Sequence, residues 1–391
     1  MHSEARGNKE NLIIKIIYNF NMIIKIEREK LIDPLRNIVG VSEKKVTMPV
    51  LGNVLLRTTA DGILLVGSDL EVEISTVINY KIAEEINTTI PARKLLDILK
   101  SLPGKDLVTI DIDESKATIK SGKSKFVLAT LPGDDFPYDG ETGSYKYNIK
   151  PESLERMISQ TSFSMAVQDA RHFLNGLFFE VSEDKITVVA TDGHRLSMSS
   201  CDQVNSVEGD LSCIIPRKCI LEIKRILTAF KDNSDNLIEF NVNNGEITLK
   251  AASYLIKSKL IEGNYPDYKK VFPNSLPHKL DVNKLELKSA LQRMSILSND
   301  QFKGVKLSLS QNEAKLSTNN PSLEEGEDSI SCNYTGENLD IGFNLTYLVE
   351  VIDVINSENI VLQLNNSDSG CLISSDDDVG LNKYIIMPMR V

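Results

Sequence analysis

Two acidic runs are the residues best suited to chemistry. Asp111-Ile112-Asp113-Glu114 and Asp376-Asp377-Asp378 cluster carboxylates of the kind that hold magnesium for phosphoryl transfer. Both sit in strand-turn settings rich in serine or glycine, where solvated turns are the stronger reading. Asp192 and His194 resemble part of a catalytic pair, but no serine or cysteine motif accompanies them. The chain has no P-loop, no GxGxxG and no GxSxG. Its four histidines are poor material for a multi-histidine metal site. The five cysteines are odd in number and lack metal or redox spacing, which fits structural thiols in a reducing compartment. An enzyme remains a rival reading, and an EDTA-sensitive nuclease or phosphatase activity would mark it.

The elements that carry these residues repeat three times. Each unit opens with a strand and an amphipathic helix, expected at Lys30 to Val39, Pro151 to Ser159 and Lys284 to Ile296. A short apolar strand near a glycine follows: Leu51-Gly52-Asn53-Val54, Leu174-Asn175-Gly176-Leu177 and Phe302-Lys303-Gly304-Val305. A second strand then runs into a small polar turn at Ser68-Asp69, Thr191-Asp192 and Thr318-Asn319. The later half of each unit repeats as well, from Ile90-Pro91, Ile215-Pro216 and Phe343-Asn344, each leading into a second helix; the sixth helix is expected near Tyr347 to Ile355. So long a period implies whole duplicated domains rather than stacked small repeats.

Leu31, Leu35, Ile38 and Val39 share one helix face, as do Ile220, Ile223, Ile226 and Leu227. Pro34 is expected in the first turn of its helix, where a missing N–H does no harm. In the strands, Phe126, Leu128 and Thr130 alternate with Lys125, Val127 and Ala129, and Val72, Ile74 and Thr76 with Glu73 and Ser75. Strands following strands favour antiparallel sheets. The expected fold is α+β, with three domains of two helices packed on antiparallel sheet. Proline-rich connectors near 132–144 and 263–277 set domains at 22–144, 145–272 and 273–391.

With 391 residues, 41% apolar and 25% charged, the chain suits a folded multidomain protein. No apolar run reaches the length of a membrane helix. Residues 1–21 lack a signal-peptide cleavage site; Met22 opens a clean strand and is read as the natural start, with 1–21 either an upstream-start artefact or a genuine flexible tail, in both readings an extra segment expected to be disordered. The formal charge of −11 argues against tight nucleic-acid binding, although a local basic face is compatible with it.

Several segments, in order, resemble one family: Met48-Pro49-Val50-Leu51-Gly52-Asn53, Val66-Gly67-Ser68-Asp69-Leu70-Glu71, Pro91-Ala92-Arg93-Lys94 and Phe163-Ser164-Met165-Ala166. To these add Ala190-Thr191-Asp192-Gly193-His194-Arg195-Leu196, Pro266-Asp267-Tyr268, Ile296-Leu297-Ser298-Asn299 and Met387-Pro388-Met389-Arg390-Val391. From about Met22 to Val391 the chain resembles the β subunit of bacterial DNA polymerase III, the sliding clamp. The resemblance implies a head-to-tail homodimeric ring around duplex DNA. Such a ring would be a cytoplasmic, non-catalytic processivity factor that needs no cofactor. Its implied partners are DNA, the polymerase catalytic subunit, a clamp loader, and other replication and repair proteins.

The resemblance also implies sites. DNA contacts, made to phosphates and not bases, fall on Lys45, Arg93, Lys94, Lys100, Gln168, Arg171, Arg217 and Lys218. A partner-peptide pocket falls on Leu174, Thr191, Gly193, His194, Arg195, Leu196, Pro266, Lys270, Val271, Ile386, Met387, Pro388, Met389 and Arg390, where the methionines suit varied peptides. The ring joint would bring Phe126, Leu128, Lys123 and Lys125 against Ile296, Leu297 and the acidic residues Glu324, Glu325, Glu327 and Asp328. The chain departs from the family at Lys270, where arginine is common, at His172 and Phe173, where tyrosines are expected, and at Val391. Glu350 and Asp353 on the sixth helix also break the picture of a uniformly basic lining. A non-encircling peptide scaffold of the same fold is the second rival, and a monomeric state would mark it.

Overall fold

The computed structural model describes residues 22–42, 48–81, 84–103, 107–113, 115–140, 146–182, 185–202, 210–229, 237–273, 276–298, 303–375 and 381–390. The chain forms two compact units: one runs to Ser144 and takes in Thr248–Lys257, and the other comprises Tyr145–Ile247 and Ser258–Val391. Residues 1–21, Lys45, Glu114 and the Asp376–Asp378 run lie outside the described residues.

In the first unit, helix α1 (Arg28–Ile38) packs on helix α2 (Ala92–Ser101), burying Leu31, Leu35 and Ile38 on one and Leu95, Leu96 and Leu99 on the other. Such faces bring roughly 1.5–3 kcal/mol per fully buried large aliphatic side chain. Helix α1 begins at Arg28, earlier than its apolar pattern suggested, so Pro34 stands inside the helix and not in its first turn. The earlier start lets Arg28 cap the partner helix: its Nη1 donates to Leu99 O at 3.2 Å and Leu102 O at 2.7 Å, carbonyls at the end of α2. Beside the helices lies an antiparallel sheet in the order Met22–Glu27, Leu107–Asp113, Lys116–Ser121, Ser124–Ala129. A second set orders Val72–Ile78, Gly62–Ser68, Asn53–Thr59, Asn87–Pro91 and Leu131–Pro132. Gly62–Ser68 is buried along its whole length. Ser75, which alternates with Ile74 and Thr76, is buried as they are, so both sides of its strand are covered there.

The second unit repeats the arrangement twice. Helix α3 (Pro151–Thr161) packs on α4 (Arg217–Ala229), and α5 (Lys284–Ser295) on α6 (Leu345–Val354). Asn283 caps α5 by accepting from Leu285 N at 3.0 Å and Glu286 N at 3.2 Å, and Asn344 caps α6 in the same way. Lys284, the first residue of α5, donates to Ile355 O past the end of α6, repeating the device of Arg28. At the matching place α3 has Pro151, which suits a first helical turn but cannot donate.

A nine-stranded antiparallel sheet runs through this unit. Its order is Leu211–Pro216, Gly176–Ser182, Lys185–Thr191, Arg195–Asp202, Asn382–Ile386, Cys371–Ser374, Asn359–Leu364, His278–Asn283, Asn333–Tyr334. At its centre the last strand of the chain pairs with Arg195–Asp202, in the register Arg195↔Ile386, Ser197↔Tyr384 and Ser199↔Asn382. That pairing carries the C-terminal residues to the turn at 191–195. A further sheet orders Glu325–Ser331, Glu313–Asn319, Gly304–Ser310 and Leu339–Asn344. The edge strand Glu325–Ser331 carries the acids implied for the ring joint, Glu325, Glu327 and Asp328, and has no apolar alternation.

Candidate functional site

The turn after the strand Lys185–Thr191 is organised by its own side chains. Asp192 Oδ1 accepts from His194 N at 2.9 Å and Arg195 N at 3.0 Å, an Asx-type closure. Thr191 Oγ1 donates to Arg195 O at 2.5 Å and accepts from Gly193 N at 3.1 Å. Gly193 has φ +89°, and a Cβ there would meet Arg171 Nη1 at 2.9 Å. Glycine is therefore needed for the backbone and for the guanidinium that passes over it. Asp192 spends its carboxylate on the turn and on Arg195, so it is no catalytic partner of the exposed His194.

Arg195, only 8% exposed, fastens this turn to the third repeat. Its Nε donates to Asp192 Oδ2 at 3.1 Å, its Nη2 to Phe163 O at 2.7 Å, and its Nη1 to Glu350 on α6. The guanidinium lies 4.3 Å from the ring centroid of Tyr347 and 5.3 Å from that of Phe163. This accounts for the acid on the sixth helix: Glu350 answers a buried cation, and Asp353 pairs with Lys288 at 2.7 Å.

Under the turn opens an apolar cavity of about 330 Å³. Leu174, Thr191, Gly193, Arg195, Leu196, Pro266, Val271 and Met387 line it, together with Arg171, Phe173, Tyr265, Tyr268 and Ile385. Its lining aromatics Tyr265 and Tyr268 rest on Phe178, with ring centroids 4.7 Å from it at 12° and 6.0 Å from it respectively. The phenols find partners, with Tyr265 OH donating to Val189 O at 3.3 Å and Tyr268 OH to Glu180 Oε2 at 2.7 Å. Burial pushes both phenol pKa values up, for Tyr268 with help from the Glu180 carboxylate. The cavity is mostly apolar with a few polar edges, the chemistry of a site that takes apolar side chains.

Arg171 stands at the rim. Asp169 grips it through Nε at 3.0 Å and Nη2 at 2.8 Å, and Nη2 also donates to Asp192 O at 3.1 Å. The guanidinium holds the Asp169 carboxyl at about 2, well below the usual range. Asn175 closes the loop beneath by donating to Asp169 O and accepting from Asp169 N, both at 2.9 Å.

Not all the pocket residues implied by the resemblance meet in this cavity. Ile386 is fully buried and points to the opposite face of its strand, while Ile385 takes the pocket face. Lys270 pairs with Asp267 at 3.0 Å on the surface, and His194 and Pro388 are not among the lining residues. Met389 and Arg390 line a separate trough. Reasoning from sequence missed Phe173, Tyr265, Tyr268 and Ile385; the aromatic spacing Tyr265-Pro266-Asp267-Tyr268 was the available signal.

The residues implied for DNA contact divide into two kinds. Lys94, Lys100 and Gln168 are exposed, the last with φ +56°, and Lys218 is half-buried. Arg93 donates to Ser42 O at 2.9 Å, and Arg217 to Ser162 O and Met165 O at 3.3 Å each, so both already brace loops. At the implied joint, Lys123 and Lys125 are exposed and Phe126 and Leu128 half-buried, near or on the edge strand Ser124–Ala129. Ile296 is 78% exposed, and Leu297 is half-buried. Glu324 and Glu325 are exposed; Glu327 pairs with Lys315 at 2.9 Å, and Asp328 with Arg293.

Among the described residues no group of three or more His, Cys, Asp or Glu could hold a metal. No helix there is long and apolar enough to cross a membrane.

A tripled unit of two helices on antiparallel sheet, with an apolar pocket at the seam of two repeats, is the architecture of a clamp-type subunit. Three family models match in succession: the DNA polymerase III β subunit N-terminal domain over residues 22–139, its central domain over 148–267 and its C-terminal domain over 269–390. The β sliding clamp of Pseudomonas putida is 40% identical over 374 residues, covering 95% of this chain and all of the relative. That of Escherichia coli is 37% identical over 373 residues, with the same coverage. Among solved structures, a Pseudomonas aeruginosa sliding clamp bound to griselimycin matches with TM-score 0.89 at 39% identity, and a Bartonella birtlesii clamp bound to griselimycin with 0.90 at 32%; each match covers 95% of this chain and 100% of the other. The chain belongs to the DNA polymerase III β-subunit family, the sliding clamps, which are non-catalytic processivity subunits.

Proposed function

We propose that two copies of this chain close head to tail into a ring that encircles duplex DNA without reading its sequence, in the cytoplasm. Ring closure replaces an encounter that must be renewed by a permanent tether, so a polymerase held by the ring stays at high effective concentration at the primer end. The apolar cavity under the 191–195 turn carries the reading. Partners would insert a short peptide with apolar side chains there: the polymerase III catalytic subunit, the clamp loader, and other replication and repair proteins. Lys45, Lys94, Lys100, Gln168, Arg171 and Lys218 would touch phosphates, with Arg93 and Arg217 in support. Two edge strands, Ser124–Ala129 on one copy and Glu325–Ser331 on the other, would pair at each joint, with Lys123 and Lys125 against Glu324 and Glu325. Opening would be driven by a loader that holds the ATP, so the clamp itself needs no cofactor.

The test is retention on circular DNA. The protein is loaded with a clamp loader and ATP onto nicked circular plasmid, the plasmid is cut once, and both samples are gel-filtered in moderate salt. Retention on the circle with loss after cutting supports a topological link. Equal behaviour before and after cutting would overturn it and favour a scaffold that does not encircle DNA.

A further inference from the structure

We infer that Leu323 anchors the ring joint from its outer side, seating on Val127 of a second copy and fixing the register of the two edge strands. The inference rests on the ring reading above. Leu323 is 91% exposed, more than any other large apolar side chain among the described residues. Its backbone is left-handed, at φ +61°, a conformation that glycine or asparagine adopts without the strain a leucine bears. It ends the hairpin loop between Glu313–Asn319 and Glu325–Ser331, at a position where glycine is usual. Asn320 N donates to Glu324 O at 3.1 Å and Leu323 N to Asn320 O at 3.0 Å. The Asn320 side chain braces the turn. Its Oδ1 accepts from Ser322 N at 3.0 Å and Glu324 N at 3.2 Å, and its Nδ2 donates to Glu324 Oε2 at 2.6 Å and Leu297 O at 3.2 Å. A leucine held in water on a braced, strained turn is displayed for a partner. The tie to Leu297 makes its position continuous with the joint, so the partner is a second copy of this chain.

The pleat selects the register. On Glu325–Ser331, Gly326 and Asp328 turn toward α5: a Cβ on Gly326 would meet Leu297 Cδ1 at 3.0 Å, and Asp328 accepts from Arg293 Nε at 2.7 Å. Glu325 and Glu327 therefore stand on the outer face. On Ser124–Ala129, Phe126 and Leu128 pair with the buried Ile119 and Ala117, while Lys125 and Val127 stand outside, with Lys123 in the turn before them. Outer residues can meet only outer residues, since a slip of one would turn every side chain to the wrong face. Within that limit, an antiparallel joint with Lys125 opposite Glu325 sets Lys123 at Glu327 and Val127, itself 52% exposed, at Leu323. It also carries Phe126 and Leu128 to the hairpin end, where Asn320 holds Leu297. A slip of two residues puts Val127 on Glu325 or Lys125 on Leu323. A parallel joint matches the charges but sets Val127 on Ser329 and leaves Leu323 in water. Only the first arrangement pairs both lysines with acids and joins the two exposed apolar side chains.

The experiment uses the full chain in two ways. Chains carrying V127C with L323C, A129C with L323C, or V127C with S329C are oxidised with copper phenanthroline and dissolved oxygen, and covalent dimer is read on a non-reducing gel. A disulfide needs Cβ atoms about 4 Å apart, closer than a slipped or parallel register would leave them. Only V127C with L323C should therefore give dimer above the background set by the wild-type chain and the single variants. In the second measurement, L323N, whose asparagine suits the left-handed turn, should melt no lower than wild type. It should raise the ring dissociation constant about five- to thirtyfold, read by energy transfer as donor- and acceptor-labelled chains are diluted. No dimer from V127C with L323C, dimer formed instead by either other pair, or an unchanged constant for L323N would each overturn the inference. If the wild-type chain is a monomer throughout the dilution, or Ile296→Asp leaves the dimer intact, the ring joint itself has failed and the anchor falls with it.

Discussion

Replacing Arg195 with alanine should destabilise the second unit by about 2–4 kcal/mol. Removing one partner of a buried ion pair costs roughly 3–5 kcal/mol, because the remaining charge stays desolvated. Here the loss strands Asp192, whose side chain is 16% exposed, more than Glu350, whose side chain at 39% recovers hydration, so the lower part of that range applies. The loss of the bond to Phe163 O and of contact with the Tyr347 ring adds to it. Arg195→Lys keeps the charge but not the fork that reaches Asp192, Glu350 and Phe163 together, so it should cost about 1–2 kcal/mol. Urea unfolding of both variants, with Glu350→Ala and the double variant, gives the coupling between helix α6 and the turn, expected at about 1–3 kcal/mol. The same variants should weaken peptide binding, because the turn that Arg195 holds is one wall of the pocket. A cost below about 1 kcal/mol for Arg195→Ala, or additive single effects, would refute the view that this side chain joins the two repeats.

Gly193→Ala should cost about 1–2 kcal/mol and displace Arg171, since the backbone is left-handed and the new methyl would sit 2.9 Å from Nη1; thermal melting and peptide titration read the two effects. Ile296→Asp should convert dimer to a folded monomer in sedimentation velocity, because the side chain is 78% exposed within one chain and the fold does not depend on it; a dimer that persists would move the joint elsewhere. Stability should fall above about pH 9. Burial raises the Cys213 thiol to about 12 and also raises Cys371, Tyr265 and Tyr268. These groups stay protonated in the fold after they would ionise in the unfolded chain, so their contribution is complete below their ordinary pKa values and is lost as pH rises through the folded ones. Melting curves from pH 8 to 11 measure it, and a flat profile would contradict the burial.

The six helices were legible because each has an apolar face at helical spacing, and the threefold repeat was legible because helix–strand–turn patterns recur at one period. What the sequence concealed has physical causes. Ile385 and Ile386 are both apolar, and only the register against Arg195–Asp202 decides which faces the pocket. Tyr265 and Tyr268 reach the pocket through a loop, where no periodicity gives direction. The edge strand Glu325–Ser331 carries almost no apolar signal, because as an edge it needs none beyond Ile330. Arg93, Arg217 and Arg195 look alike in sequence, as cations beside helices or turns. Only the contacts separate them from Lys94 and Lys100, whose side chains are exposed.

The three repeats are not interchangeable, and their differences converge on one seam. In the first and third, a basic first residue caps the paired helix; in the second, Pro151 gives that up. Helix α3 is instead turned toward the third repeat. Arg156 donates to Ser199 Oγ and Asn382 Oδ1 at 3.1 Å each and to Ser200 O at 2.7 Å, bracing the two strands where the repeats join. Gln160, one turn on, donates to Val354 O at 2.7 Å and accepts from Tyr384 OH. Arg195 makes the third tie, to Glu350. The pocket opens on this seam, with walls from both repeats. A seam sewn by three separate side chains holds those walls in place before any peptide arrives, so little ordering cost remains at binding. Loosening any one stitch should therefore weaken a peptide it never touches. Arg156→Met, which leaves every lining residue intact, should raise the peptide Kd by about five- to thirtyfold, equivalent to the roughly 1–2 kcal/mol of order it supplies. An unchanged Kd would mean that the pocket walls hold their places without the seam.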